Sequence, residues 1–166
     1  VKSVPMAKTF EYNPPELSVD ILHHDSHILV VNKPSGLLSV PGKGELLKDC
    51  LISRLQKVFP DALLVHRLDL ETSGVMLFAL TPYAQRHLGL QFEKRQVKKT
   101  YIANVWGNVE NKTGEIEAPI IVDWPNRPRQ KICWETGKSA FTKWQVLKKN
   151  KLSTRVRLMP TTGRSH

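Results

Sequence analysis

Over positions 19–80, short apolar runs alternate with turn-forming clusters. The runs at 19–24 and 28–32 are separated by Asp25-Ser26, which predicts a β-hairpin. Runs at 63–65 and 74–80 read as further strands, the second bounded by Gly74 and by Thr81-Pro82. Leu47, Leu51, Leu55 and Val58 recur at spacings of four, four and three, so 46–59 is predicted helical, with Pro60 as the stop. Thr81-Pro82 is an N-cap and first-turn pair for a second helix reaching about Gln96, with Ala84, Leu88 and Phe92 on one face. Positions 101–106 alternate and end at Gly107, the pattern of a half-buried strand. The run 115–122 predicts a short strand pair with Pro119 at an edge. Positions 132–135 and 140–147 suggest a hairpin about Thr136-Gly137, and 152–159 is another alternating strand. Several antiparallel strands with two helices predict the α+β class. Residues 1–17 carry Pro5, Pro14 and Pro15 without periodicity and read as an extended arm, leaving 18–166 as the folded domain.

With 166 residues and 40% hydrophobic content, the chain can bury one real core. Charge changes the picture more. Lys plus Arg is 25 against 15 acids, a net charge of +10, which points to a polyanionic partner. The cations cluster at Lys94, Arg95, Lys98 and Lys99, where only Glu93 offsets them, and again in the loop carrying Arg127, Arg129 and Lys131. A solvated face is the ordinary reading of such a run. No apolar stretch approaches the roughly 18 residues of a membrane span, and no leader pattern opens the chain, so no membrane partner and a cytoplasmic location are expected. Cys50 and Cys133 are too few for a disulfide framework. The six His fall into no metal-ligand spacing, so neither a metal nor a cofactor is expected.

The stretch His66-Arg67-Leu68-Asp69-Leu70-Glu71-Thr72-Ser73-Gly74 carries a carboxylate and a guanidinium straight into the apolar run 75–80. Polar residues at the mouth of a core strand are the ones a protein can aim at a substrate. For a lone Asp, a turn acceptor would be the ordinary reading. This stretch, however, resembles the HRLDxxTSG motif of the RluA-type pseudouridine synthases. Val31-Asn32-Lys33-Pro34-Ser35-Gly36-Leu37 resembles their second signature, Lys98-Lys99-Thr100-Tyr101 their third, and Gly163-Arg164-Ser165-His166 the start of a fourth. The signatures stand in the family's order over nearly the whole chain. Asp123-Trp124-Pro125-Asn126-Arg127-Pro128 and Glu135-Thr136-Gly137-Lys138 make the likeness closest to the RluA branch. The fourth motif would continue as GRxHQxRxH, so the catalytic domain is expected to be partial at its C-terminus.

The resemblance implies a mixed, mainly antiparallel sheet with flanking helices. It also implies an isomerase that converts uridine to pseudouridine in structured RNA, 23S rRNA and as a further candidate a tRNA anticodon stem-loop, rather than DNA, and a monomer when complete. The reaction detaches uracil from C1′, turns it and rejoins it through C5, with no redox change and no atom supplied. Asp69 is implied as the essential carboxylate, whether by covalent attack or by proton abstraction from the sugar. Tyr101 is implied as the group that stacks on uracil or takes the C5 proton. Arg164 is the candidate cation for Asp69, an Arg beyond His166 being the alternative. Arg67 is a candidate to fill the gap left by a flipped base, and His66 beside it is a further candidate substrate-binding residue. Lys98, Lys99, Arg127 and Arg129 are candidates for phosphate contacts. A non-catalytic RNA-binding or RNA-folding module is the competing reading.

Overall fold

The computed structural model describes residues 11–164, and the chain divides into two compact units, the first running to Leu90 and the second starting at Gln91. The part of the expected arm at 1–10 lies outside the described residues. Over 11–17 there is neither helix nor strand. Side chains pin this segment instead: the Tyr12 hydroxyl donates to Asp49 O at 2.8 Å and accepts from Leu38 N at 3.1 Å. Arg54 Nη1 donates to Pro15 O and Leu17 O.

The first unit is built on a four-stranded antiparallel sheet. Its strands are β1 (Asp20–His24), β2 (Ile28–Lys33), β3 (Leu63–Leu64) and β4 (Gly74–Ala79), in the order β1-β2-β4-β3. The hairpin at Asp25-Ser26 forms as its turn chemistry predicts, with Asp25 Oδ1 accepting from His27 N and Ile28 N. Strand periodicity puts Leu29, Val31 and Lys33 of β2 on one face, opposite Phe78, Met76 and Gly74 of β4. All of these but Gly74 are buried, and the apolar ones with Leu37, Cys50, Leu51, Ile52, Leu55 and Ala62 make up this unit's core.

The helix predicted over 46–59 is shorter than its apolar spacing suggests. A 3₁₀ turn at Glu45–Leu47 is followed by α1 (Leu51–Leu55). Between them the chain is extended at Cys50, because Leu51 N and Ile52 N donate to Leu38 O and Ser39 O. Those tertiary bonds dock the segment on the 38–39 loop and override helix propagation. Leu51 and Leu55 accordingly reach the core while Val58 stays exposed. The helix α2 (Pro82–Glu93) starts as predicted, Thr81 Oγ1 accepting from Ala84 N at 3.1 Å. It ends three residues early, where Arg95 takes a φ of 58° and Gln96 N returns to Gln91 O.

In the second unit β5 (Tyr101–Trp106), β6 (Thr113–Glu117), β9 (Phe141–Lys149) and β10 (Ser153–Pro160) form an antiparallel sheet in the order β5-β10-β9-β6. The strands β7 (Ile120–Val122) and β8 (Gln130–Ile132) pair separately. Two expected pairings are therefore corrected. The run 115–122 is not a mutual pair, since β6 joins β9 and β7 joins β8. Nor do 132–135 and 140–147 form a hairpin: residues 133–137 close a turn on themselves, Gly137 N donating to Cys133 O, and Cys133 N donates to Pro119 O. Both errors come from pairing neighbours in sequence where the chain pairs at longer range. Every named strand pair is antiparallel, as the α+β reading with a mainly antiparallel sheet requires.

Candidate active site

Asp69 sits in the irregular segment leading into β4, exposed, and its carbonyl accepts from Thr72 N at 3.1 Å to close a turn. What fixes this segment is the stretch 33–39 across from it. Lys33 continues the inward row of β2, and its side chain is fully buried. Its ammonium donates to Leu37 O at 2.6 Å, Pro34 O at 2.9 Å and Leu70 O at 3.0 Å. Three acceptors match the three N–H bonds of an ammonium group, whereas a neutral amine would supply only two. Burial pushes the Lys33 pKa down; the negative charges of Glu71 and Asp69 push it partly back up. The buried cation thus joins the 33–37 turn to the residue that follows Asp69.

Further bonds repeat the pattern on both sides of Asp69. Ser39, 3% exposed, donates through Oγ to Leu68 O at 2.6 Å and accepts from Leu68 N at 3.2 Å, gripping the peptide just before Asp69. Gly36 N donates to Leu70 O at 3.0 Å, and Ser35 Oγ donates to Glu71 O at 2.8 Å. The Leu68 side chain packs against the core. Gly74, opposite Lys33, has a φ of 123°, a conformation that L side chains rarely adopt. Residues 68–71 are therefore held from both flanks, and Asp69 among them is exposed. His66 Nε2 accepts from Leu77 N at 3.0 Å, which ties this residue to β4 and leaves that nitrogen unprotonated. Arg67 is exposed.

In the second unit Tyr101 opens β5, half-buried and in register with Leu158 of β10. Residues 161–164, which lead into the fourth signature and include its first two residues, run back along the entry to β9: Thr161 N donates to Phe141 O, Phe141 N donates to Thr162 Oγ1, and Arg164 Nε donates to Ser139 O at 3.0 Å; Ser165 and His166 lie outside the described residues. Lys99 is half-buried with Nζ 3.4 Å from Thr162 O; burial and then the Arg95 charge push its pKa down. Lys98 is exposed, as are Arg127 and Arg129. Arg127 lies over the Trp124 ring at 4.4 Å, a cation–π contact. Among the described residues no group of His, Cys, Asp and Glu could hold a metal ion, and no helix is long and apolar enough to cross a membrane.

The family model for RNA pseudouridylate synthase matches residues 27–166. The chain belongs to the RNA pseudouridylate synthase family. Its relatives include proteins named dual-specificity RNA pseudouridine synthase RluA. That of Yersinia pestis is 57% identical over 88% of this chain and 71% of its own length. That of Escherichia coli K12 is 54% identical over 93% of this chain and 72% of its own length. Among solved structures, human RNA pseudouridylate synthase domain containing 1 is similar with a TM-score of 0.75 and 26% identity over 92% of this chain. Human RNA pseudouridylate synthase domain containing 4 is similar with a TM-score of 0.70 and 28% identity over 89%. The chain spans 63% and 60% of those two proteins.

Lys33 and Ser39 are the residues at this site that sequence reading did not single out. A signal existed for the first. Position 33 has the inward parity of Leu29 and Val31, and a Lys in that row has to be buried and satisfied.

Proposed function

We propose that the protein is an isomerase that converts uridine to pseudouridine in RNA, acting on 23S rRNA and on tRNA. The observation that carries this reading is the clamped Asp69 segment. An exposed carboxylate stands on a backbone fixed at the residue before it by Ser39 and at the residue after it by Lys33. Such pre-organisation is what a group acting on a sugar needs, since misplacement by an ångström costs orders of magnitude in rate.

In the proposed reaction the N1–C1′ bond of the target uridine breaks and a C5–C1′ bond forms. C5 gives up its proton and N1 gains one, so atoms balance without any other reactant. Asp69 is the carboxylate that acts at the ribose. Tyr101, its phenol on a strand end, stacks on uracil or receives the C5 proton. Arg164 supplies a cation to the active carboxylate. Because a base inside a stack cannot be reached, the uridine leaves its stack, and Arg67 is suited to occupy the vacated space. Lys98, Lys99, Arg127 and Arg129 meet phosphates, and His66 acts through its bond to β4 by holding the start of the segment. The dual-specificity naming of the RluA relatives supports two RNA classes, and the +10 charge supports a polyanionic substrate. The complete protein works in the cytoplasm as a monomer.

Release of tritium from C5-labelled uridine in 23S rRNA and tRNA transcripts tests this. Release from both RNAs is expected. Binding of either RNA without release would favour the competing reading of an RNA-binding module.

A further inference from the structure

From Thr136 to the last residue the chain carries eight Lys or Arg and no Asp or Glu. Six of the cations, Lys143, Lys148, Lys149, Lys151, Arg155 and Arg157, fall on β9, β10 and the hairpin between them, and of these Lys143 is ion-paired with Glu115 at 3.1 Å. Strand register sorts them. Arg155 is opposite Lys148 on one side and Asn104 on the other, while Arg157 is opposite Gln145 and Ile102. Trp106 is opposite Ser153, two residues from Arg155 along β10, so it shares their face and lies diagonal to Arg155. That face is open: Trp106 is 83% exposed, and Lys148, Lys151, Arg155 and Arg157 are exposed.

Two features of this arrangement work against stability. Arg155 and Lys148 are like charges directly opposite in a sheet, which is unfavourable, and an exposed Trp forfeits the burial that usually stabilises it. The hairpin is nonetheless well built. Asn150 N donates to Ser153 O at 2.8 Å, Gly107 N donates to Leu152 O at 2.9 Å, and Thr154, fully buried, donates to Gly107 O at 2.8 Å and accepts from Val109 N. A rigid tip therefore holds three or four cations and one aromatic face toward solvent. An extended run of phosphates fits that spacing, since Arg155 and Arg157 stand two strand residues apart, about 7 Å, near the repeat of a single-stranded backbone. An anion between Arg155 and Lys148 also converts their repulsion into shared attraction.

We propose that the β9–β10 hairpin with Trp106 is a second RNA-docking surface. Its cations take the backbone of an RNA segment flanking the modified site, and Trp106 stacks on one of that segment's bases. This rests on the reading of the protein as an RNA isomerase and adds to it how long RNA is held.

The test compares the parent protein with Lys148→Gln/Lys151→Gln/Arg155→Gln, with Trp106→Ala and with the charge-preserving Lys148→Arg/Lys151→Arg/Arg155→Lys. A control, Lys43→Gln/Lys48→Gln/Lys57→Gln, removes the same charge from the first unit. Kd for a long 23S rRNA transcript is measured across salt concentrations, with isomerisation of a short hairpin alongside. The triple Gln variant is expected to weaken rRNA binding roughly tenfold at 0.1 M salt and to make the slope of log K against log salt shallower by about 2 to 3. Trp106→Ala weakens binding without changing the slope, and the charge-preserving variant binds as the parent does. Turnover of the short hairpin stays at the parent level in all of them. The melting temperature of the triple Gln variant should not fall, because it relieves a like-charge pair. An unchanged Kd and slope in the triple Gln variant, with a parent that binds and isomerises, would overturn this inference alone. An equal loss in the first-unit control would reduce it to net charge and also overturn it. A parent that binds no RNA would overturn both this inference and the functional reading beneath it.

Discussion

Replacing Lys33 by Met keeps most of the side-chain volume and removes the ammonium that joins the 33–37 turn to Leu70. Three carbonyls lose a donor at 2.6, 2.9 and 3.0 Å, but Leu70 O keeps the Gly36 amide. Two carbonyls, Leu37 O and Pro34 O, are therefore left short, at about 1 to 3 kcal/mol each. Against this, Met has no charge to desolvate, which recovers part of the loss. The balance is about 3 kcal/mol of destabilisation. For a chain of this length, 1 kcal/mol shifts the melting temperature by about 2 to 4 °C, so Lys33→Met should melt about 6 to 12 °C lower by circular dichroism. Freed from Lys33, the segment after Asp69 must be re-ordered in each turnover. If about 1.4 kcal/mol of that cost falls in the transition state, kcat drops tenfold, whereas KM for RNA, set by surface cations, changes little. Lys33→Arg should not rescue, because a planar guanidinium cannot aim three N–H bonds at converging carbonyls. A Lys33→Met protein that melts within about 2 °C of the parent and keeps its kcat would refute the clamp.

Ser39→Ala removes the hydroxyl that both donates to and accepts from the Leu68 peptide; a loss of about 1 to 2 kcal/mol is expected by urea unfolding, with a lower kcat and an unchanged salt dependence of RNA binding. The Asp49–Arg54 pair gives a pH signature. The Arg54 hydrogen bonds hold the Asp49 carboxyl below its ordinary 3.8. Its stabilising effect is complete above that value and is lost as pH falls through the lowered one. Parent and Asp49→Asn should differ in melting temperature at pH 6 and converge on acidification; a gap that persists or widens in acid would contradict the pairing.

The sequence made local structure legible wherever one signal dominated. Asp25-Ser26 closed its hairpin, Thr81-Pro82 opened α2, and alternation marked β5 and β10. It failed where tertiary bonds decide. Amides of α1 are drawn to the 38–39 loop, and β9 takes β6 and β10 as partners instead of the residues just before it. The candidate site was legible in its signatures, since the Asp69 segment and the 31–37 stretch each stood out. Their relation was not. That Lys33 and Ser39 exist to hold residues 68–71 is a fact of contacts 29 to 37 positions apart, which no local pattern encodes.

In the proposed function Asp69 is the group that makes an RNA-binding protein an isomerase. The most direct measurement is chromatographic analysis of nucleosides from 23S rRNA and tRNA transcripts digested after incubation with the parent and with Asp69→Asn, with RNA affinity measured for both. Pseudouridine appearing with the parent and absent with Asp69→Asn, at equal affinity, is the expected result. Pseudouridine formed equally well by Asp69→Asn would contradict a catalytic role for this carboxylate.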